Sequence, residues 1–159
     1  MEYAIVKVPA APVRRKARHQ SEMTNQLLFG DAVKILKKKG GLWVKVRSLA
    51  DGYEGWLTNT LLQQSATTEA NLQHFVTTEM INSISINGNN MHIPVGSTLP
   101  NFQDGSGKLG DITFNYTGKY FDVNAQLFTA EMVKALTFPL LNAPYMWGGK
   151  TILGVDCSG

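Results

Sequence analysis

The sequence predicts a mainly β protein, and three observations carry that prediction. Short runs that alternate apolar and polar residues recur through residues 3–62 and again through 75–118. Turn signals separate them, among them Asp51-Gly52 and Asn87-Gly88, dipeptides that favour hairpins. Helical periodicity occurs in one stretch, residues 129–142. Short strands at this spacing suggest small barrels.

In chain order, residues 1–64 read as a first barrel. Ala4–Val8 is a β-rich run ended by Pro9 and Pro12. Gln26–Asp31 leads into the alternating run Ala32–Leu36, which stops at Lys37-Lys38-Lys39-Gly40-Gly41. Leu42–Arg47 alternates again, and Asp51-Gly52 turns the chain into Tyr53–Leu57. Residues 65–71 are polar and unpatterned, the mark of a linker. In residues 72–128, Phe75–Ile81 and Ser83–Ile86 flank a turn. Met91–Pro100, Phe102 and Lys108–Gly118 then complete a second barrel. From 129 the pattern changes. Thr129 is an N-cap type, Glu131 falls in the first turn, and apolar residues stand at 132, 133, 136 and 140. Pro139 should shorten this helix and Pro144 end the run.

Composition limits the function classes. The 159 residues are 43% hydrophobic and 17% charged, a globular balance. The net charge of +3 is too small for a nucleic-acid-binding surface. Its two basic clusters, Arg14 to Arg18 and Lys37 to Lys39, could meet an acidic surface, although exposed loop lysines and arginines usually serve solubility alone. No apolar run approaches a membrane span, and the first residues lack the regions of a signal peptide. A single cysteine excludes an internal disulfide. No pattern asks for a metal or a cofactor.

That cysteine, Cys157, stands between Asp156 and Ser158 after the glycines 148, 149 and 154. Asp156 and Ser158 are both N-cap types, so the thiol is placed to open a helix, where the macrodipole favours the nucleophilic thiolate. The alternative is a small buried side chain without chemistry. Pro144, Tyr145, Trp147, Gly148, Gly149, Lys150, Gly154, Asp156, Cys157, Ser158 and Gly159 together form a segment that closely resembles the nucleophile segment of NlpC-type cysteine peptidases. These are papain-like enzymes that cut bacterial cell-wall peptides. In the first barrel, Leu27-Leu28-Phe29-Gly30-Asp31, Trp43-Val44-Lys45-Val46 and Asp51-Gly52-Tyr53-Glu54-Gly55-Trp56 resemble a bacterial SH3-like domain. A second SH3-like domain is implied by position, ahead of the peptidase segment.

The resemblance implies two small SH3-like barrels followed by a helix and the truncated start of a papain-like α+β catalytic domain, residues 129–159. It makes Cys157 the nucleophile. The architecture is most similar to γ-D-glutamyl-L-diamino-acid endopeptidases, which act on murein peptides with a free N-terminal L-alanine. By that resemblance Asp156, Ser158, Glu22 and Tyr53 hold the substrate ammonium, and Tyr145 lines the site. Trp147 is expected beneath the Gly148-Gly149 turn. The family's histidine follows the cysteine, whereas His19, His74 and His92 all precede it. The expectation is therefore an N-terminal part of such an enzyme, inactive alone and completed by a C-terminal catalytic segment. The alternative is a non-catalytic two-barrel module that binds wall peptides or a protein partner. A recycling role points to the cytoplasm, with the periplasm or exterior as the other settings. Residues 143–159 have few partners nearby in sequence and are expected to be mobile, or held only by crystal or oligomer contacts.

Overall fold

The computed structural model describes residues 2–65, 75–125, 127 and 129–159. Strands β1 (Glu2–Val6), β2 (Ala10–Arg14), β3 (Met23–Leu28), β4 (Ala32–Lys39), β5 (Trp43–Ser48), β6 (Glu54–Thr58) and β7 (Leu62–Ser65) form one sheet. Its order is β3-β2-β6-β5-β4-β1-β7, with neighbours antiparallel. Alternation drives the curvature. In β5, Val44 and Val46 turn inward while Arg47 faces solvent. Ala4, Val13, Leu27, Val33, Val44, Leu57 and Leu62, one from each strand, meet in a single core, so the sheet curls on itself.

A second set of strands follows: β8 (Phe75–Thr77), β9 (Ile81–Ile86), β10 (Asn89–Pro94), β11 (Ser106–Leu109), β12 (Ile112–Asn115) and β13 (Tyr120–Asp122). They make a four-stranded sheet, β10-β9-β12-β11, and a β13-β8 pair. Asn87 at φ 51° and Gly88 at φ 78° join β9 to β10 with Ile86 opposite Asn89, the two-residue hairpin their sequence predicts. The second core contains Ile84, Ile93, Leu99, Phe102, Leu109, Phe114 and Tyr116. Ile5 of β1 and Phe29 of the turn after β3 also belong to it, and Phe29 meets Phe114 edge-on at 5.4 Å.

Helix α1 (Ala130–Thr137) begins as expected, with Thr129 Oγ1 accepting from the Met132 N–H at 3.2 Å. A 3-10 turn over Phe138–Leu140 ends it at Pro139. The hairpin of β14 (Lys150–Thr151) and β15 (Gly154–Val155) closes the chain.

The mainly β class is as expected, with several local differences. Pro12 does not end a strand but lies within β2, opposite Gln26. The Phe29 N–H donates to the Pro9 carbonyl, and the antiparallel alternation then points the Pro12 nitrogen away from β3. On that side β2 pairs with β6 only at Arg14, so no ladder bond is lost. The strand expected over 75–81 breaks after Thr77, where the Asn82 amide donates to the Glu79 carbonyl at 2.6 Å. Asp51-Gly52 lies within a longer loop over residues 49–53. Ser65, placed in the linker by composition, ends β7 opposite Tyr3, and the rest of that linker lies outside the described residues.

Candidate active site

The site is assembled on the β3 edge of the first sheet. Gly148 makes the approach. At φ 73° its backbone passes so close to β3 that an added Cβ would sit 2.8 Å from the Asn25 nitrogen. Beside it, the Lys150 N–H donates to Gln26 Oε1 at 2.8 Å, and Lys150 Nζ pairs with Asp51 Oδ2 at 3.7 Å. Met146 packs on Gly154 and its N–H donates to the Val155 carbonyl at 3.0 Å. Residues 143–159 therefore have partners after all, contributed by Gln26 and Asp51 of the first strand set, far earlier in the chain.

Asp156 organises the end of this segment. One carboxylate oxygen accepts from the Gly148 N–H at 2.9 Å, and the other from the Ser158 N–H and hydroxyl, each at 2.9 Å. Bonds from Ser158, its N–H first and its hydroxyl second, hold the Asp156 carboxyl below the ordinary carboxylate range. Cys157 sits in the turn so formed, exposed and unbonded to sulfur. Among the described residues Cys157 stands in this turn, which the Asp156 side chain closes over the N–H two residues on.

The other sequence-predicted residues divide. Tyr53 is 41% exposed, and its hydroxyl donates to the Thr24 carbonyl at 3.3 Å, on the stretch of β3 that Gly148 touches. Tyr53 thus shares one edge with Asp156, Cys157 and Ser158. Tyr145, opposite Val155, is 67% exposed, free to present its ring beside the thiol segment. Glu22 lies just before β3, exposed and paired with Arg15 through one oxygen at 3.6 Å. Trp147 does not pack beneath the glycine turn. It is 58% exposed, while the Gly148 backbone lies against Thr24 and Asn25 and the Met146 side chain packs on Gly154.

No described histidine is bonded to the thiol segment. His19 rests on Trp43, ring centroids 4.9 Å apart. His92 lines a cleft of about 310 Å³ with Met146 and Leu153, which Cys157 does not reach. His74 lies outside the described residues. Among the described residues no group of His, Cys, Asp or Glu is arranged to hold a metal. No described helix is long and apolar enough to cross a membrane. Sequence reasoning missed Thr24, Gln26 and Met146, which seat the segment. Their types carry no signal, because what matters is backbone proximity.

No curated protein matches this chain. The family described as the bacterial dipeptidyl-peptidase Sh3 domain matches residues 13–62. Among solved structures, an NlpC/P60 family protein from Bacillus cereus is similar with a TM-score of 0.71 at 19% identity, covering 98% of this chain and 69% of that chain. The chain thus carries a segment matching a bacterial peptidase Sh3 domain within a fold shared with an NlpC/P60 protein.

Proposed function

We propose that these residues form the N-terminal part of a cysteine endopeptidase that cleaves the γ-D-glutamyl bond to a diamino acid in murein peptides with a free N-terminal L-alanine. The observation that carries this is the exposed Cys157, fixed between the bonded carboxylate of Asp156 and Ser158 on the same β3 edge as Tyr53. The peptidase Sh3 match and the NlpC/P60 likeness support it. Cys157 Sγ would attack the γ-carbonyl, and the diamino acid would leave with a proton from a protonated histidine. Water would then hydrolyse the thioester. Asp156, Ser158, Tyr53 and Glu22 would receive the substrate ammonium.

The base must come from a segment other than the one described. Helix α1 supports this, since none of its residues is buried, while Val133, Phe138 and Leu141 leave an apolar surface for a neighbour. The absence of a described histidine bonded beside the thiol also keeps a second proposal in play, a non-catalytic module that binds wall peptides or a partner. A recycling enzyme of this kind would work in the cytoplasm; a wall-binding module would work in the periplasm or outside.

The decisive experiment is to read the source gene through Gly159 and assay both products on L-Ala-γ-D-Glu-diaminopimelate. The 159-residue chain is expected to be inactive. A longer product bearing a downstream histidine is expected to hydrolyse the peptide and to lose activity in Cys157→Ala. Turnover by the short chain would overturn the assignment of the base. A stop directly after Gly159 with saturable peptide binding would favour the binding module.

A further inference from the structure

Across the β5-β4-β1-β7 part of the first sheet lies a cavity of about 270 Å³ that shares no residue with the candidate active site. Trp43 forms part of its wall, with Glu2, Lys38, Asn59 and Gln64 around it. These polar groups are already oriented. Lys38 Nζ and Gln64 Nε2 each donate to Glu2 Oε1 at 2.9 Å, and Asn59 Nδ2 donates to the Gly41 carbonyl at 2.8 Å. The Lys38 hydrogen bond holds the Glu2 carboxyl below its ordinary range, which keeps it an acceptor. Trp43 is braced by the His19 ring and by cross-strand pairing with Lys39 and Thr58.

The chemistry of this wall narrows the ligand. Glu2 and Lys38 are the charged lining groups among the described residues, and they neutralise each other at 2.8 Å. A charged peptide end would gain little here and would have to break that pair. A neutral ligand with many hydroxyls can add to it, since each hydroxyl both donates and accepts. The carboxylate, the two side-chain amides and the ammonium offer complementary groups close together. The indole favours a ligand that also has an apolar C–H face. A sugar ring in its pyranose form combines both features. The cavity, just below the usual size of small-molecule pockets, holds one such ring and not a long chain of them.

We propose that this cavity binds a single pyranose unit of a polysaccharide, with the ring face against Trp43 and its hydroxyls on Glu2, Lys38, Asn59 and Gln64. The site is independent of the peptidase reading and would stand if Cys157 had no catalytic role.

Amide and indole N–H spectra of the 159-residue chain, titrated with chitotriose, test this directly. Saturable shifts are expected at Trp43, Asn59 and Gln64, with none at Tyr53 or Asp156. Titration with L-Ala-γ-D-Glu-diaminopimelate should show the reverse pattern, so that either reading can fail alone. Sorbitol, which has the hydroxyls without the ring, should give no saturable shift. The Asn59→Ala/Gln64→Ala double variant, which leaves every core residue in place, should keep the parent spectrum and bind chitotriose at least about tenfold more weakly. No saturable shift at Trp43, equal binding by the double variant, or an equal response to sorbitol would each overturn the proposal.

Discussion

Asp31 sits in the turn between β3 and β4, half-buried, with its carboxylate directed into the junction of the two strand sets. The Leu28 N–H donates to one oxygen at 2.8 Å, and the Thr98 hydroxyl from the second set reaches the other at 3.4 Å. Burial pushes the carboxyl up to about 6, against the pull of the Leu28 N–H, Lys150 and the Thr98 hydroxyl, with Asp51 adding to the rise. The folded state therefore binds this proton more tightly than the unfolded chain. The group's contribution to stability is full below its ordinary value of 3.8 and is lost as pH rises through about 6. Asp31→Asn should remove that loss and stabilise the protein by about 1–2 kcal/mol at pH ~8, with little effect at pH ~4. Denaturant titrations at the two pH values check this. Equal effects of the substitution at both would show that the carboxyl does not titrate as its surroundings imply.

The C-terminal hairpin is an element whose stability comes from its seat. Two residues per strand cannot hold a hairpin in water, so β14 and β15 depend on Gln26, Asp51 and the close approach at Gly148. Gly148→Ala combines an unfavourable positive φ with overlap against the backbone of Thr24 and Asn25. It should detach the hairpin while leaving the first core intact. Hydrogen exchange at the Lys150 amide is expected to speed up by about tenfold or more, with the Val44 and Leu57 amides unchanged. Retained protection at Lys150 would mean that the hairpin holds without its glycine. The same substitution should randomise the placement of Cys157, since Gly148 is also the donor to Asp156.

At the scale of the whole molecule, the two strand sets are joined through shared core. Phe29 is fully buried yet belongs by sequence to the first set and by packing to the second. Around it, the Thr98 N–H donates to the Phe29 carbonyl at 2.9 Å, and Gly30 lies so near Thr98 that a Cβ would fall 2.0 Å from its carbonyl oxygen. Phe29→Ala should cost about 3–5 kcal/mol. The loss should fall on the second set, whose core loses its partner for Phe114. Unfolding followed at Trp43 and Trp56, which report the first set, should then separate from unfolding followed by the Phe114 and Tyr116 resonances. Coincident transitions in the variant would show that Phe29 serves the first core instead.

What the sequence by itself determined is what neighbouring residues control. The alternation in Ala32–Leu36 and Leu42–Arg47 became β4 and β5, Asn87-Gly88 made its hairpin, and Thr129 capped α1. The spacing of Asp156, Cys157 and Ser158 likewise marked a local cluster, because one carboxylate reaches an N–H two residues on through local geometry alone. Only the tertiary structure decided where that cluster sits. Gln26 and Lys150 are 124 positions apart, and no periodicity encodes their meeting. Pro12 entered a strand because the neighbouring ladder left its nitrogen unopposed, and Met146 rather than Trp147 packs inward because Gly154 leaves room for a flexible side chain. Local propensity is a property of short segments. The docking of β14 on β3 and of Phe29 into the second core depends on shape and backbone contact between segments that the chain brings together only when it folds.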